Sequence, residues 1–238
     1  MNSNIILIVL GEPNSTFSEI LFRYFKSNNF KKNTNRIVII GSKKLFKEQM
    51  KILKYNFHLN EISDINRSIK TKINIINVEY KFKKAFTKIS GISNKYLENC
   101  FNLAIKLIKI NNLNKLINGP ISKTHFLKKK FVGITEYVGF KTNRKKLVML
   151  IYNDTLSVCP LTTHIPIKNV AKYIKKNKII NSVNKIDKFY KLKLRKIPKI
   201  ALLGLNPHCE TTDKISEEKK EIIPAIKHLI KKKIKVSG

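Results

Sequence analysis

The chain opens on a short apolar run that is followed at once by a turn and by helical spacing. Residues 5–10 are apolar and stop at the Gly-Glu-Pro of residues 11–13, which predicts a strand that ends in a tight turn. Thr16 and Glu19 are spaced as a capping box, so a helix should begin there. Helical spacing predicts that its core-facing positions are Phe17, Ile20, Leu21, Tyr24 and Phe25.

A second unit of the same kind follows, and the pattern continues along the chain. Residues 36–41 are predicted as a buried strand, and Ser42 as the cap of a helix that runs to about Leu53. Further strands are predicted at 73–78, 115–118, 147–152, 156–162 and 199–205, and helices at 93–110 and 216–232. Alternation of strands and helices predicts an α/β fold, with a mostly parallel sheet covered by helices on both faces.

Two stretches depart from this alternation. Residues 147–162 form two apolar runs parted by Asn153-Asp154, which predicts a hairpin or a local antiparallel pair. Residues 234–238 begin like a strand after the last helix, so we expect a chain that is truncated at its C-terminus. No linker marks a domain boundary, and residues 1–238 are treated as one incomplete α/β region, expected to be two-lobed.

The charge is large and has two interpretations. Lysine and arginine number 49 against 15 acidic residues, a formal net charge of +34, which in isolation indicates a polyanion-binding protein. Only five of the basic residues are arginine, the side chain that phosphate recognition favours. Lysine, isoleucine and asparagine all have AT-rich codons and are frequent throughout, so nucleic acid is not the expected partner. A non-catalytic, basic polyanion-binding protein stays open as an alternative.

Cysteine usage and hydropathy indicate the compartment. Cys100, Cys159 and Cys209 are odd in number and show no Cys-x-x-Cys spacing, so neither a disulfide framework nor a thiolate zinc site is expected. The apolar run at residues 5–10 is too short to span a bilayer. We therefore expect a cytoplasmic protein without a membrane partner.

Two of the five histidines stand in the same kind of place. His164 and His208 each follow a predicted strand directly, in a turn that contains proline. Ligands of parallel α/β proteins gather outside the carboxyl ends of strands, so these two side chains can converge on one divalent cation. The alternative, that each histidine only hydrogen-bonds its own loop, is left open. His58, His125 and His228 lack this context.

Two loops could receive an anionic substrate. In Asn118-Gly-Pro-Ile-Ser-Lys123 a Gly-Pro turn leads into a helix start, where backbone N–H groups and the Lys123 ammonium could bind a phosphate or carboxylate. The turn could equally serve only to reverse the chain. In Gly133-Ile-Thr-Glu136, Thr135 could contact substrate at a helix N-terminus or simply cap that helix. The sequence contains neither a Rossmann fingerprint nor a P-loop.

Five short motifs, taken in order, resemble those of the 4-hydroxythreonine-4-phosphate dehydrogenase family. They lie at residues 11–13, 118–123, 133–136, 162–166 and 205–208. The resemblance covers essentially the whole chain. It implies a fold similar to that of isocitrate and isopropylmalate dehydrogenases, which bind nicotinamide cofactors without the Rossmann glycine pattern.

The resemblance also implies an activity and a ligand set. The reaction would be NAD-dependent oxidation of 4-phosphooxy-L-threonine with decarboxylation to 3-amino-2-oxopropyl phosphate, in vitamin B6 biosynthesis. His164 and His208 match two of the family's three ligands for a divalent metal such as Zn, Mg or Co. The third comes from the other subunit of a homodimer with a shared active site, in a segment absent from these 238 residues. The chain by itself is therefore expected to bind metal weakly and to lack activity.

Two departures from the family pattern bear on substrate choice. Ile134 stands where the family usually has histidine, so Thr135 and Lys123 would contact substrate without that partner. Residues 209–213 replace a glycine-rich loop. A related oxidoreductase for another phosphorylated hydroxy acid is therefore the second expectation, and the choice between NAD and NADP is open.

Overall fold

A computed structural model describes residues 4–128, 130–144, 147–206 and 216–238. The chain divides into two compact units, Met1–Lys145 and Lys146–Gly238. Within the described ranges, no helix combines the length and the apolar character that a membrane span requires.

The first unit is built on a five-stranded parallel sheet in the order β3-β4-β2-β1-β5. Its strands are β1 (Ile5–Val9), β2 (Arg36–Gly41), β3 (Leu59–Glu61), β4 (Ile73–Asn77) and β5 (Leu116–Asn118). Its helices are α1 (Phe17–Lys26), α2 (Asn28–Lys32), α3 (Lys43–Ile52), α4 (Asn94–Ile110) and α5 (Ile134–Lys141). The predicted α/β class with a parallel sheet is confirmed.

Side chains of the central strands alternate between two hydrophobic cores. In β1, Ile5, Leu7 and Val9 point to the core that α4 and α5 cover, whereas Ile8 points to the core under α1 and α3. Successive side chains of a strand lie on opposite faces, so both faces of the sheet are buried. This is why the strands read as unbroken apolar runs in the sequence.

The start of α1 differs from the prediction. The Thr16 side chain makes no capping hydrogen bond, and Glu19 pairs with Arg23 at 2.8 Å instead of reaching back to the helix start. The predicted core position Ile20 is 55% exposed, and Phe22 is fully buried in its place. The helix is rotated because the Phe22 ring packs against Phe46, at 4.7 Å between ring centroids.

The cap of α3 and three strands of the first unit agree with the sequence predictions, and one edge strand was not predicted. Ser42 caps α3, since its side chain accepts a hydrogen bond from the backbone N–H of Leu45 at 3.3 Å. The strands at residues 36–41, 73–78 and 115–118 are present within a residue of the predicted bounds. The edge strand β3 was missed because its three residues, Leu-Asn-Glu, carry no readable alternation.

The second unit has its own smaller core. It contains α6 (Val170–Tyr173), α7 (Lys176–Phe189), α8 (Ile223–Lys231) and the parallel pair β6 (Ile200–Ala201) and β7 (Val236–Ser237). Helices α7 and α8 pack together through residues that include Ile179, Val183, Ile226 and Leu229. The final strand, expected from residues 234–238, is confirmed.

Three predictions for this unit are too simple. The strand expected at residues 199–205 pairs only over Ile200–Ala201. Of the hairpin or local antiparallel pair expected at residues 147–162, the structure shows the local pair, as a single antiparallel bridge between Ile151 and Val158. The helix expected at 216–232 starts with a wide π-helical turn, Glu218–Ile222, before α8; Pro224 has no N–H to continue the regular ladder there.

Burial protects the thiol of Cys100. This side chain lies on α4 and is 1% exposed, and burial raises its pKa to about 12. Because the thiolate is the reactive form, we expect iodoacetamide at pH 8 to leave Cys100 unmodified in the folded chain and to label it in urea. Mass spectrometry of tryptic peptides measures this; labelling of Cys100 at the rate of a free thiol without denaturant would contradict it.

Candidate active site

Two loops meet at the carboxyl edge of the parallel sheet, and glycines allow them to touch. A Cβ atom on Gly119, after β5, would lie 2.2 Å from the Leu10 carbonyl oxygen, and one on Gly11, after β1, would lie 2.4 Å from that of Pro120. Gly11 also has a positive φ of 73°, which glycine adopts without steric cost. The backbone N–H of Glu12 then donates to the Pro120 carbonyl oxygen at 2.7 Å. The first loop, which is residues 10–16 between β1 and α1, and the Gly-Pro turn after β5 therefore form one surface.

A buried carboxylate supports the first loop from below. Glu12 is 3% exposed, and one of its oxygens accepts a hydrogen bond from the Ser93 hydroxyl at 2.8 Å. Its other oxygen accepts from the backbone N–H of Asn14 at 3.3 Å. Ser93 is the N-cap residue of α4, and the positive end of a helix dipole favours a carboxylate. Sequence reasoning did not single out Glu12 as an anchor.

The space beneath the same loop is nearly filled. A cavity of about 10 Å³ lies among the first loop, α1 and α3, which is room for roughly one water molecule. The buried Ser18 hydroxyl lines this cavity and has no hydrogen-bond partner. Gln49 closes one side, because its amide donates to the Pro13 carbonyl oxygen at 2.6 Å. On this side, the described residues leave no volume for a substrate.

The carboxyl ends of β2 and β4 are held by a similar set of polar contacts. The backbone N–H of Ser42 donates to the buried Tyr96 hydroxyl at 3.0 Å, and burial raises the pKa of that hydroxyl well above its usual value. The backbone N–H of Lys43 donates to the Asn77 side-chain oxygen at 2.9 Å. The Lys43 ammonium forms an ion pair with Glu61. These contacts align neighbouring strand ends.

The Gly-Pro turn leads into a short π-helical segment, Lys123–Leu127, as the sequence indicated. Ser122 begins this segment, because its hydroxyl accepts from the backbone N–H of His125 at 3.1 Å. Lys123 is exposed. The turn therefore places the Lys123 ammonium group on the surface, three residues after Pro120, which contacts the first loop.

The start of α5 excludes one of the two roles considered for Thr135. Gly133 is the N-cap residue, and no side chain caps the helix, so the capping role considered for Thr135 is wrong. Thr135 is exposed in the first turn, with its hydroxyl available to a ligand. Ile134 is half-buried and packs against the core under α4. Ile134 is therefore a packing residue in this chain.

His164 has an unusual backbone conformation. Its side chain is exposed, and its φ of 56° is left-handed. That region costs a non-glycine residue roughly 1–2 kcal/mol, and among the described residues His164 shares it with seven other non-glycine positions. A free imidazole on a constrained turn suits a metal ligand.

The other proposed ligand, His208, lies outside the described residues, so the convergence of the two imidazoles stays a prediction. In residues 4–206 and 216–238, as far as the structure describes them, no three His, Cys, Asp or Glu side chains group as a metal site.

A second buried carboxylate holds the segment that leads to His208. Glu218 is 4% exposed and accepts hydrogen bonds from the backbone N–H groups of Leu205 at 3.0 Å and Asn206 at 3.1 Å. The hydrogen bond from Asn206 is the main reason why the pKa of Glu218 is lowered. Sequence reasoning missed this role; its one signal was an acidic pair, Glu217-Glu218, opening a lysine-rich helix.

The first unit has a parallel sheet, and two loops meet at the carboxyl ends of its strands. This is the architecture of α/β proteins, many of them enzymes, that bind ligands outside the carboxyl ends of their strands. The profile of the family described as pyridoxal phosphate biosynthetic protein PdxA matches residues 33–238. The chain therefore belongs to the PdxA family of pyridoxal phosphate biosynthesis, and it is an oxidoreductase.

Individual relatives agree with this assignment. The chain is 35% identical over 231 residues to 4-hydroxythreonine-4-phosphate dehydrogenase of Sulfurihydrogenibium sp., which covers 94% of this chain and 70% of that protein. It is 24% identical over 242 residues to a protein of Oceanobacillus iheyensis provisionally named D-threonate 4-phosphate dehydrogenase, covering 98% and 73%.

A solved structure agrees in fold. The crystal structure of a 4-hydroxythreonine-4-phosphate dehydrogenase from Burkholderia phymatum superposes with a TM-score of 0.82 at 20% identity, over 99% of this chain and 73% of that one. The α/β architecture inferred from the sequence is thus the architecture of that enzyme.

Proposed function

We propose that this protein oxidises the secondary alcohol of 4-phosphooxy-L-threonine with NAD and releases carbon dioxide to give 3-amino-2-oxopropyl phosphate. Membership of the PdxA family is the observation that carries this proposal. The five motifs in order and the contact between the first loop and the Gly-Pro turn support it. When bound, the nicotinamide would accept the hydride that leaves the alcohol carbon.

The exposed groups of the first unit fit a phosphorylated substrate. Lys123 presents an ammonium to which a phosphate oxygen could bind, and Thr135 presents a hydroxyl beside the N-terminus of α5. Ile134 can contribute only an apolar contact. Losing a hydrogen-bonding side chain at such a position costs about 1–3 kcal/mol if a buried partner is left unpaired. The affinity for the phosphorylated substrate should therefore depend mainly on Lys123 and Thr135.

We assign His164 and His208 as ligands of a divalent cation, Zn, Mg or Co. The exposed imidazole of His164 supports this assignment. When bound, such a cation supplies positive charge that lowers the pKa of a substrate hydroxyl and favours an enolate product of decarboxylation. Glu218 serves this site indirectly, because it holds Asn206 through hydrogen bonds.

Metal binding tests the two histidines. We expect His164→Ala and His208→Ala each to weaken binding of Zn²⁺ or Co²⁺ by more than about tenfold in calorimetric titrations, since one ligand nitrogen is lost. His58→Ala, which removes another exposed histidine, is the matched control and should not change the affinity. Equal affinities for all four proteins would refute the assignment.

A second substrate has its own support. The Oceanobacillus relative carries a D-threonate name, and Ile134, at the start of α5, can offer a substrate no side-chain hydrogen bond. D-Threonate 4-phosphate has a hydroxyl where the first substrate has an amino group. Calorimetric binding of the two compounds to this chain distinguishes them. Preference for D-threonate 4-phosphate would leave the reaction class intact and change the substrate.

We further propose a cytoplasmic homodimer with a shared active site and no nucleic-acid partner. The competing proposal is a basic, polyanion-binding protein without catalysis. It predicts DNA binding that falls steeply with salt and is unchanged by His164→Ala. Fluorescence anisotropy with a short duplex, between 50 mM and 200 mM salt, separates the two: the dehydrogenase should bind metal through His164 and show only weak, nonspecific affinity for DNA.

A further inference from the structure

The turn after β5 begins with a dipeptide that is chemically unstable in flexible chains. Asn118-Gly119 is the one Asn-Gly pair in the 238 residues. Because glycine has no Cβ atom to shield its backbone nitrogen, this nitrogen can attack the side-chain carbonyl carbon of the asparagine before it. Asparagine is among the thermolabile residues of proteins. The pair lies where the Gly-Pro turn meets the first loop of the candidate site.

The reaction of this pair needs no partner other than water. The Gly119 nitrogen gives up its proton and bonds to the Asn118 side-chain carbon, while the C–N bond of the side-chain amide breaks and ammonia leaves. A five-membered cyclic imide results. Water then opens the ring on one side to give aspartate, or on the other to give isoaspartate, in which the chain continues through the side-chain carbon. One water is consumed and one ammonia is released.

In the folded chain the attacking nitrogen is held in the sheet. The backbone N–H of Gly119 donates to the Val9 carbonyl oxygen at 2.8 Å, directly after the register pair of Val9 with Asn118. Gly119 is also buried. Hydrogen exchange and imide formation both require this N–H to lose its proton, so both wait until the hydrogen bond opens.

The reacting side chain nevertheless stays beside its nucleophile. Asn118 is half-buried, and its side-chain amide donates to the Gly119 carbonyl oxygen at 3.1 Å. Strand β5 lies at the edge of the sheet and has three residues. A short edge strand opens locally at a lower free energy than the central strands. The sheet therefore delays the reaction and does not abolish it.

We propose that Asn118 is a site of spontaneous deamidation, that the pairing of β5 with β1 sets its rate, and that the product separates the two loops of the candidate site. Isoaspartate adds a CH2 group to the backbone beside Gly119, where space is absent. A Cβ atom on Gly119 would already lie 2.2 Å from the Leu10 carbonyl oxygen and 2.6 Å from the Phe17 ring. Either product also adds a negative charge five residues before Lys123, which disfavours an anionic ligand at this turn.

Peptide mapping of position 118 during incubation at mildly alkaline pH tests the protection. We expect the folded 238-residue chain to lose Asn118 at least about tenfold more slowly than the same chain in guanidinium chloride, because the reaction requires local opening. Asn118→Gln should stay unmodified in both conditions, since its longer side chain closes the ring far less readily.

A substitution outside the reacting pair tests the control by the sheet. A Cβ atom on Gly11 would lie 2.4 Å from the Pro120 carbonyl oxygen and 2.7 Å from the Gly119 carbonyl carbon, so Gly11→Ala should displace the turn. We expect it to accelerate deamidation of the folded chain at least about fivefold, the factor that corresponds to the smaller costs of overpacking. Gly91→Ala, where the new atom would have 3.5 Å of space, is the control. In guanidinium chloride both variants should react at the rate of the unchanged chain.

Hydrogen exchange tests the consequence. Cation-exchange chromatography separates the deamidated chain, which has lost positive charge. In that fraction the Glu12 N–H, which donates to the Pro120 carbonyl oxygen, should exchange faster than in the unmodified fraction.

Four results would overturn the inference. They are equal loss of Asn118 in the folded and the denatured chain, a folded chain that yields no modified fraction, equal rates for Gly11→Ala and Gly91→Ala, and a modified fraction in which the Glu12 N–H exchanges as before. If circular dichroism shows that Gly11→Ala is unfolded, the comparisons made on the unchanged chain still decide the matter. None of these measurements involves metal, cofactor or substrate, so their outcome is independent of the proposed reaction.

Discussion

Replacing Phe101 with alanine should lower the free energy of unfolding of the first unit by about 3–5 kcal/mol, the usual range for a fully buried aromatic residue. Phe101 lies on α4 and is 0% exposed. Its ring lies 5.9 Å from that of Phe126 and 5.4 Å from that of Tyr137. Truncation removes the residue against which both the Lys123–Leu127 turn and α5 pack, so a cavity should remain.

The change should also reach the candidate site. Thr135 lies two residues before Tyr137 on α5, and Lys123 precedes Phe126 on its turn. We therefore expect weaker phosphate-substrate binding together with the loss of stability. Urea unfolding followed by circular dichroism gives the free energy, and calorimetry gives the binding. The control is Phe140→Ala on α5, where the ring is 69% exposed. It should lower the free energy of unfolding by less than about 1 kcal/mol.

Gly119→Ala should destabilise the same unit by about 1–3 kcal/mol, the range for overpacking. The new Cβ atom would meet the Leu10 carbonyl oxygen at 2.2 Å and the Phe17 ring at 2.6 Å. Neither is the far end of a flexible side chain, so the first loop has to shift. The Glu12–Pro120 backbone hydrogen bond should lengthen as a result.

Gly91→Ala provides a matched control for this substitution. A Cβ atom there would lie 3.5 Å from its nearest neighbour, the Asn94 side chain, which is ordinary van der Waals contact. We expect a change within about 0.5 kcal/mol. Because the Glu12 N–H donates to the Pro120 carbonyl oxygen, we expect its hydrogen exchange to accelerate in Gly119→Ala and not in Gly91→Ala. Equal unfolding midpoints for the two variants would mean that the loops do not touch.

Much of the first unit was predictable because its strands are buried on both faces. The runs at residues 5–10 and 36–41 are apolar at nearly every position, which is the signature of the centre of a parallel sheet. Ser42 was predictable as a cap because capping depends on residues only three apart. The loops of the candidate site were found because glycine and proline mark chain reversals.

The positions that failed depend on partners distant in the chain. Helical spacing placed Ile20, and not Phe22, on the core-facing stripe of α1. The prediction was wrong because Phe22 packs against Phe46, a residue of another helix. Glu12 and Glu218 are ordinary acidic residues in the sequence. Their roles arise from Ser93, 81 residues away, and from Leu205, 13 residues away. No local pattern contains these contacts.

The sequence by itself determined the α/β class, the central strands and the succession of motifs that marks the PdxA family, because each depends on short-range patterns of polarity, glycine and proline. Tertiary structure alone decided that Ile134 packs into the core, that Thr135 does not cap its helix, and that Ile151 and Val158 are largely exposed. Burial is a property of neighbours in space, and a linear pattern of apolar residues cannot distinguish a covered face from an open one.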